Sequence, residues 1–358
     1  MSHPPLEGNR PQTTTTAAAA EEELPPDNTS TGQKLAIYNQ IGSFPGPYLR
    51  LDPLNLSALP AHNKTTQENA IASHVYAILS EARRVADRIS TANSGKQGKQ
   101  GIWHQTGTKK YQTVAAPIEN WKTEVSREAI LHYAAKQEQS SGLRNWDEYR
   151  GETEYWFARR SIHKDAAEAG TACWAEFVAG LRNEHSMNEK AYTHSIYDAR
   201  LVLDFEQALG EAGLHSEIKG LTMKIYEMCH AVPLRNRVFA TLVLTGSISD
   251  DEFVVAQFPV QLKGSAIGFY SNNKNQQEDN KSLTTAEMRK KVTVGQYVSV
   301  ERCVRRPETN DIEWLMATAS DAKGGVPMMV QRLAIPGTIC KDVEYFLEWV
   351  AGRRGDRR

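Results

Sequence analysis

The chain has 358 residues, with 42 Lys and Arg against 43 Asp and Glu, and so a formal net charge of −1. That balance excludes the global positive charge that drives sequence-independent nucleic-acid binding, and no apolar run approaches the roughly 20 residues of a spanning helix. Cys173, Cys229, Cys303 and Cys340 lie far apart with no CxxC pair, which removes zinc ribbons and thioredoxin-type redox motifs.

The first residues, MSHPPLEGNR, lack a basic-then-apolar signal pattern, so a cytoplasmic protein is expected. Residues 1–33 hold no aromatic, a Thr/Ala run and an acidic triplet, a composition that cannot offset the entropy of ordering; a disordered tail is expected there. Thr65 and Glu68 form a capping box, and Ile71, Val75, Ile78, Ala82 and Val85 recur at helical spacing, which predicts a helix near 65–90. The Gly/Lys/Gln run at 94–101 breaks it, and a second helix is predicted at 122–137. Together 34–150 reads as an N-terminal helical extension packed on the domain C-terminal to it.

A strand is predicted at 154–163, then helices at 171–181 and 186–194. Six strands come next in series, at 197–205, 220–230, 236–248, 252–261, 292–303 and 311–319; Val292, Val294, Val298 and Val300 alternate most clearly. Residues 271–291, SNNKNQQEDNKSLTTAEMRKK, read as a disordered insertion. A long helix over 327–351 closes the chain, with Met329, Leu333, Ile339, Val343, Leu347 and Val350 as its apolar stripe, and Pro336-Gly337 expected to kink it. The last residues, 353–358, form a small basic tail. Short connections favour neighbouring antiparallel strands, so the order predicts an α+β helix-grip fold: a curved antiparallel sheet wrapped around the C-terminal helix, with extra N-terminal helices and a cavity between sheet and helix.

Three stretches resemble the START lipid-binding domains. Residues 225–239, IYEMCHAVPLRNRVF, resemble a START strand leading into Pro-Leu-x-x-Arg-Asp-Phe, with Val238 where Asp is common. The strand at 251–260 fits the next one, and DAKGGVP at 321–327 is similar to the START turn that opens the last helix. A closer resemblance is to a fungal START-like family of unknown function, numbered 3074. Its motifs are YWFARRSIH at 155–163, GTACWAEF at 170–177, GQYVSVER at 295–302, EWLMATASDAKGGVPMMVQ at 313–331 and PGTICKDVEYFLEW at 336–349. The resemblance implies a START-like domain over 151–352.

On that resemblance, the expected function is non-enzymatic binding of a lipid or other apolar small molecule, with intracellular transfer as an extension of it. Trp156, Tyr226, Trp314, Met316, Met329 and Leu333 are the expected cavity lining, with Arg237 as a polar contact. Two other readings stand beside it: an enzyme on the same fold using His163, Arg159 or Glu227, and an adaptor docking through the tail and the 271–291 insertion. HExxH, GxSxG and GxxxxGK[ST] are all absent, and the SxxK at 161–164 ends a strand, so neither cofactor nor metal is expected. His185 and His194 are nine residues apart, roughly 180° around one helix, and cannot share an ion there. Arg159 and Arg160 must point to opposite faces of a strand, so one of them must find a partner under the covered side. Transient contact with a membrane surface through the arginine tail is the remaining partner expectation; no nucleic-acid partner is expected.

Overall fold

The computed structural model describes residues 46–59, 67–92, 102–130, 152–231, 235–277 and 283–355. The tail at 1–33, the break at 94–101 and the Pro233-Leu234 pair lie outside these.

Helix α1 (Gln67–Ala92) carries the predicted stripe and buries Ile71, Val75, Ile78, Ala82 and Val85. Strands β1 (His104–Lys109), β2 (Ile118–Val125) and β3 (Glu154–Lys164) come next. A short helix α2 (Trp174–Phe177), drawn out by a π-turn at Val178–Arg182, leads to α3 (His185–Tyr192). Strand β4 (Ile196–Asp204) is followed by two short helices, α4 (Glu206–Glu211) and α5 (Leu214–Glu217). The remaining strands are β5 (Thr222–His230), β6 (Arg237–Ser249), β7 (Glu252–Pro259), β8 (Thr293–Arg306) and β9 (Asp311–Asp321). Helix α6 (Met328–Gly355) is the last described element and runs through Pro336 without interruption.

Among the described residues, the nine strands form one sheet in the order β1-β2-β3-β9-β8-β7-β6-β5-β4. Neighbours are antiparallel throughout, except that the start of β6 also runs parallel to the start of β8, pairing Arg237–Phe239 with Thr293–Gly295. That extra pairing bends the sheet sharply where β7 has ended. It needs Gly295, since a Cβ there would overlap the Phe239 ring.

Because side chains alternate across a strand, each strand serves two cores. One face of the sheet packs on α1, α4 and α5 through Trp156, Ala158, Leu242, Leu244, Val254, Ala256, Val298, Val300, Leu315 and Ala317. Arg302 pins α1 to this face, donating to Glu252 at 2.7 Å and Asp87 at 2.9 Å. The opposite face is gripped by α6, with α2 and α3 beside it, which is the helix-grip arrangement.

Three expectations change. The segment 118–125 is strand β2 and not a helix, because Ile118, Asn120, Trp121, Thr123 and Val125 are buried in a strand pattern; helical residues begin only at 127, and 131–150 lie outside the described residues. So 34–150 contributes two strands to the sheet instead of helices alone. The described parts of the 271–291 stretch are built turns: Glu227 accepts hydrogen bonds from the amides of Phe269, Tyr270 and Ser271, and Asn275 donates to the carbonyls of Met288 and Lys290. Leu283 packs there with Phe269 and Tyr270. Finally, Arg353 and Arg354 still belong to α6, and Arg354 forks onto Glu176 with two contacts of 2.6 Å.

Candidate functional site

The gripped face divides along its length. Towards one end, β9 presents Trp314, which meets Phe177 and Phe346 at centroid distances of 5.5 and 5.1 Å. Together with Tyr192, Val343, Leu347 and Val350 these rings fill the space under the last turns of α6. Two residues along β9 comes Met316, then Thr318, then Ser320: the side chains shrink as α6 begins. Helix and sheet cannot close over the smaller set, and a cavity of about 300 Å³ remains. Its walls include Met228, Phe239, Thr241, Gln257, Tyr297, Met316, Thr318 and Ser320 from the sheet, and Gln331, Ala334, Ile335, Thr338, Ile339 and Asp342 from α6. From Gln331 to Asp342 the cavity runs beneath about 16 Å of helix, at 1.5 Å per residue.

Polar groups gather where the cavity meets the aromatic plug. Glu189 of α3 and Asp342 of α6 both line the cavity. About a fifth of the Glu189 side chain is open (21%), yet protein surrounds the carboxyl. Burial, reinforced by the charges of Glu301 and Asp342, pushes Glu189 up to about 8 against a weaker pull from Gln257. Burial also raises Asp342 to about 7, the Arg159 charge opposing it and Glu301 adding to it. At neutral pH Glu189 is largely protonated and Asp342 about half so, and each can donate a hydrogen bond in that form. Thr241, 1% exposed, lines the same cavity, and its hydroxyl finds no partner among the described residues. His230, another wall residue, is held down to about 4 by burial and stays neutral.

Behind the walls, Arg159 is the arginine on the gripped face. Its guanidinium lies 3.6 Å from Glu301 and 4.0 Å over the Trp314 ring, while Arg160 on the other face bonds Glu119 and Glu313. Glu301 in turn accepts the Trp314 indole N–H at 2.7 Å.

Of the lining expected from sequence, Met316 is on the cavity wall. Trp156 is not: its even position on β3 turns it to the α1 face, where its indole donates to Glu154. Trp314 is in the plug and Tyr226 in the same core, beside a separate small recess with Glu184 and Lys224. Met329 and Leu333 are 72% and 74% exposed. The helical period does not separate them, since Met329 precedes the buried Leu347 by five whole turns on the same line of the helix; what differs is position along α6, because Phe177, Tyr192 and Trp314 pack under its last turns and not under its first. Arg237 contacts the protein itself, donating from Nε to the Ala322 carbonyl at 3.1 Å and through Nη1 to the Arg235 carbonyl. It thereby holds the turn into α6, where Lys323, Gly324 and Gly325 take φ of 52°, 64° and 83° in succession. His163 bonds Ser161 at 2.8 Å, packs against Phe177 and Trp314, and is pushed by burial to about 3; Glu227 anchors the loop at Phe269–Ser271. Neither of these two lines the cavity.

Sequence reasoning missed Glu189, Thr241, Gln257, Thr318 and Asp342. A signal existed for Asp342, a charge set three and four residues from Ile339 and Phe346 on the buried stripe. Among the described residues there is no group of three or more His, Cys, Asp or Glu able to hold a metal ion, and no helix is long and apolar enough to cross a membrane.

No curated protein matches the chain. Among solved structures, human STARD10 aligns over 75% of this chain and 82% of its own, at 11% identity and a TM-score of 0.41. Human StAR-related lipid transfer protein 5 aligns over 77% and 99%, at 10% identity and a TM-score of 0.35. A STAR-related lipid transfer protein from Xanthomonas axonopodis aligns over 69% and 99%, at 11% identity and 0.38. A family model covers residues 156–350, more than half of the chain, so the chain belongs to the family described as "Protein of unknown function (DUF3074)".

Proposed function

We propose that the chain binds an apolar or amphiphilic small molecule under helix α6, without transforming it, and passes it between intracellular surfaces. The cavity carries this reading. Left dry, about 300 Å³ of space would cost on the order of 7 kcal/mol at ~24 cal/mol per Å³, comparable to the roughly 5–15 kcal/mol that holds a domain folded. A fold that keeps such a space under a gripping helix has it filled by water or by a guest. Its size sits at the lower end of the ~300–1,000 Å³ typical of small-molecule sites, which suits a single chain or compact ring system better than a two-chain lipid. Each methylene it takes from water contributes about 0.8 kcal/mol. Exposed Met329, Val330 and Leu333 on the first turns of α6 give the helix above the cavity an apolar outer edge, suited to brief contact with a membrane surface during loading.

Native mass spectrometry of the full chain purified from cells tests this. A bound mass is expected, lost in Ala334→Trp, whose indole would occupy the cavity. Apo mass alone, together with no uptake of a fluorescent single-chain lipid, overturns the reading.

A further inference from the structure

The cavity wall has a one-sided charge character. Two carboxyl groups, Glu189 and Asp342, line it, and among the described residues no Lys or Arg does. Charged and titratable groups face these two from each packed element. From β8, Glu301 adds a third acid. From β3, Arg159 is the one cation close by among the described residues, and it is engaged with Glu301 and stacked on Trp314, behind the wall. From α3, His185 stands 3.7 Å from Glu189, its other ring nitrogen 2.6 Å from the Leu181 carbonyl, while Tyr192 is raised by burial and stays a neutral phenol. Tyr297 of β8 is likewise neutral, and His230 of β5 is uncharged. The acids therefore outnumber the cations at the inner end of an otherwise uncharged chamber. An independent observation marks the same cavity as a place for a polar guest atom: the buried Thr241 is one of its lining residues, and the Thr241 hydroxyl is unpartnered among the described residues.

We propose that the guest is a single-chain amphiphile with an amine head, its ammonium seated between Glu189 and Asp342 near Thr241 and its chain running beneath α6 towards Gln331. This deepens the binding reading above and rests on it. An ammonium supplies three donors and no acceptor, which matches carboxylates and a hydroxyl oxygen. It also brings the charge that the group of acids lacks, so the two carboxyls can ionise on binding where burial alone keeps them protonated. The space suits a modest chain: about 300 Å³ is on the order of ten water-sized groups at ~30 Å³ each.

Binding then releases protons, and the pH dependence has a definite sign. At pH 6 both acids hold protons that the ammonium must displace; near pH 8 less displacement is needed, so amine affinity rises with pH by up to about tenfold per unit for each proton released. Isothermal titration of the full chain with decylamine, decanol and decanoate at pH 6, 7 and 8 tests it. Decylamine is expected to bind at least about tenfold tighter than decanol at pH 8, with the preference shrinking towards pH 6. In Glu189→Gln/Asp342→Asn, which imitates the protonated acids, the amine-to-alcohol ratio is expected to fall to near one. Decanoate binding as well as or better than decylamine, or a preference independent of pH in the natural protein, overturns the amine assignment while leaving the apolar cavity standing. Failure of all three probes to bind overturns both.

Discussion

One helix covers two unlike halves of the same sheet face. Under its last turns, Trp314, Phe177, Phe346 and Tyr192 interlock and close the space between helix and sheet; under its first turns, threonines, serines and a glutamine leave a hollow with two acids at its inner end. Backbone pairing is the same in both, since β8 and β9 stay in register from Gln296–Asp321 to Arg306–Asp311. The side chains, and not the backbone pairing, make the difference. The plug gives the fold its stability, and the hollow is what that stability maintains.

The comparison breaks most visibly at Trp314. Replacing it by Ala extends the hollow into the plug, takes one partner each from Glu301 and Arg159, and is expected to cost about 3–5 kcal/mol or more in urea unfolding. A cost below about 1 kcal/mol would mean that the plug is not what holds this face together.

A second test uses protons. Glu189 and Asp342 keep protons in the folded state that the unfolded chain loses above its ordinary values of 4.5 and 3.8, so the fold binds more protons and stability falls as pH rises until both acids ionise near 7 to 8. His163 and His230 act oppositely: unfolded, they charge below 6.5, while the fold keeps them neutral to about 3 and 4, so stability falls as pH drops below 6.5. From pH 4.5 to 6.5 the two pairs oppose each other; from 6.5 to 8 the acids act alone and the urea midpoint is expected to decline. Glu189→Gln/Asp342→Asn should flatten that decline.

The smallest effect distinguishes the two ends of α6. Met329→Ala and Leu333→Ala at its exposed start should each change stability by no more than about 0.5 kcal/mol, whereas Leu347→Ala at its buried end should cost about 2–5 kcal/mol.

Architecture was legible in the sequence wherever one period ran long enough to be unambiguous. The α1 stripe, the alternation of β8 and the strand series up to β9 each repeat over several turns or pleats. Strand β2 was not legible, because Trp121 and Val125 are spaced as in a helix while β3 pairs them as a strand, with Trp121 opposite Ala158 and Val125 opposite Glu154. For the site, reading aromatics and methionines as lining reached the Met316 wall but also chose Trp156 and Trp314, which fill space elsewhere, and passed over the small polar side chains that leave the hollow open. Thr241, Thr318 and Ser320 are unremarkable in a strand pattern, and only the curvature of the sheet turns them towards one volume. Arg159 against Arg160 was readable because a charge under a covered face demands a partner, and Glu301 supplies it.

Helix α6 behaves as a strap buckled at both ends, with unequal buckles. Its far end is clasped by Arg354, whose charged fork grips Glu176 and also the carbonyls of Glu168 and Thr171. Its near end hangs on Gln331, an amide that accepts from the Ala322 N–H at 2.7 Å and donates to the Val326 carbonyl at 2.9 Å and, more distantly, to the Asp321 carboxylate at 3.5 Å, with the Arg332 guanidinium 3.7 Å over the Tyr155 ring beside it. Charge-assisted bonds are roughly twice as strong as neutral ones, so the strap peels from its beginning. Pro336, with no N–H to give to the preceding turn, marks where the peel stops. On the proposed reading, a guest's residence time would be set by about two turns of helix and not by the unfolding of the whole domain.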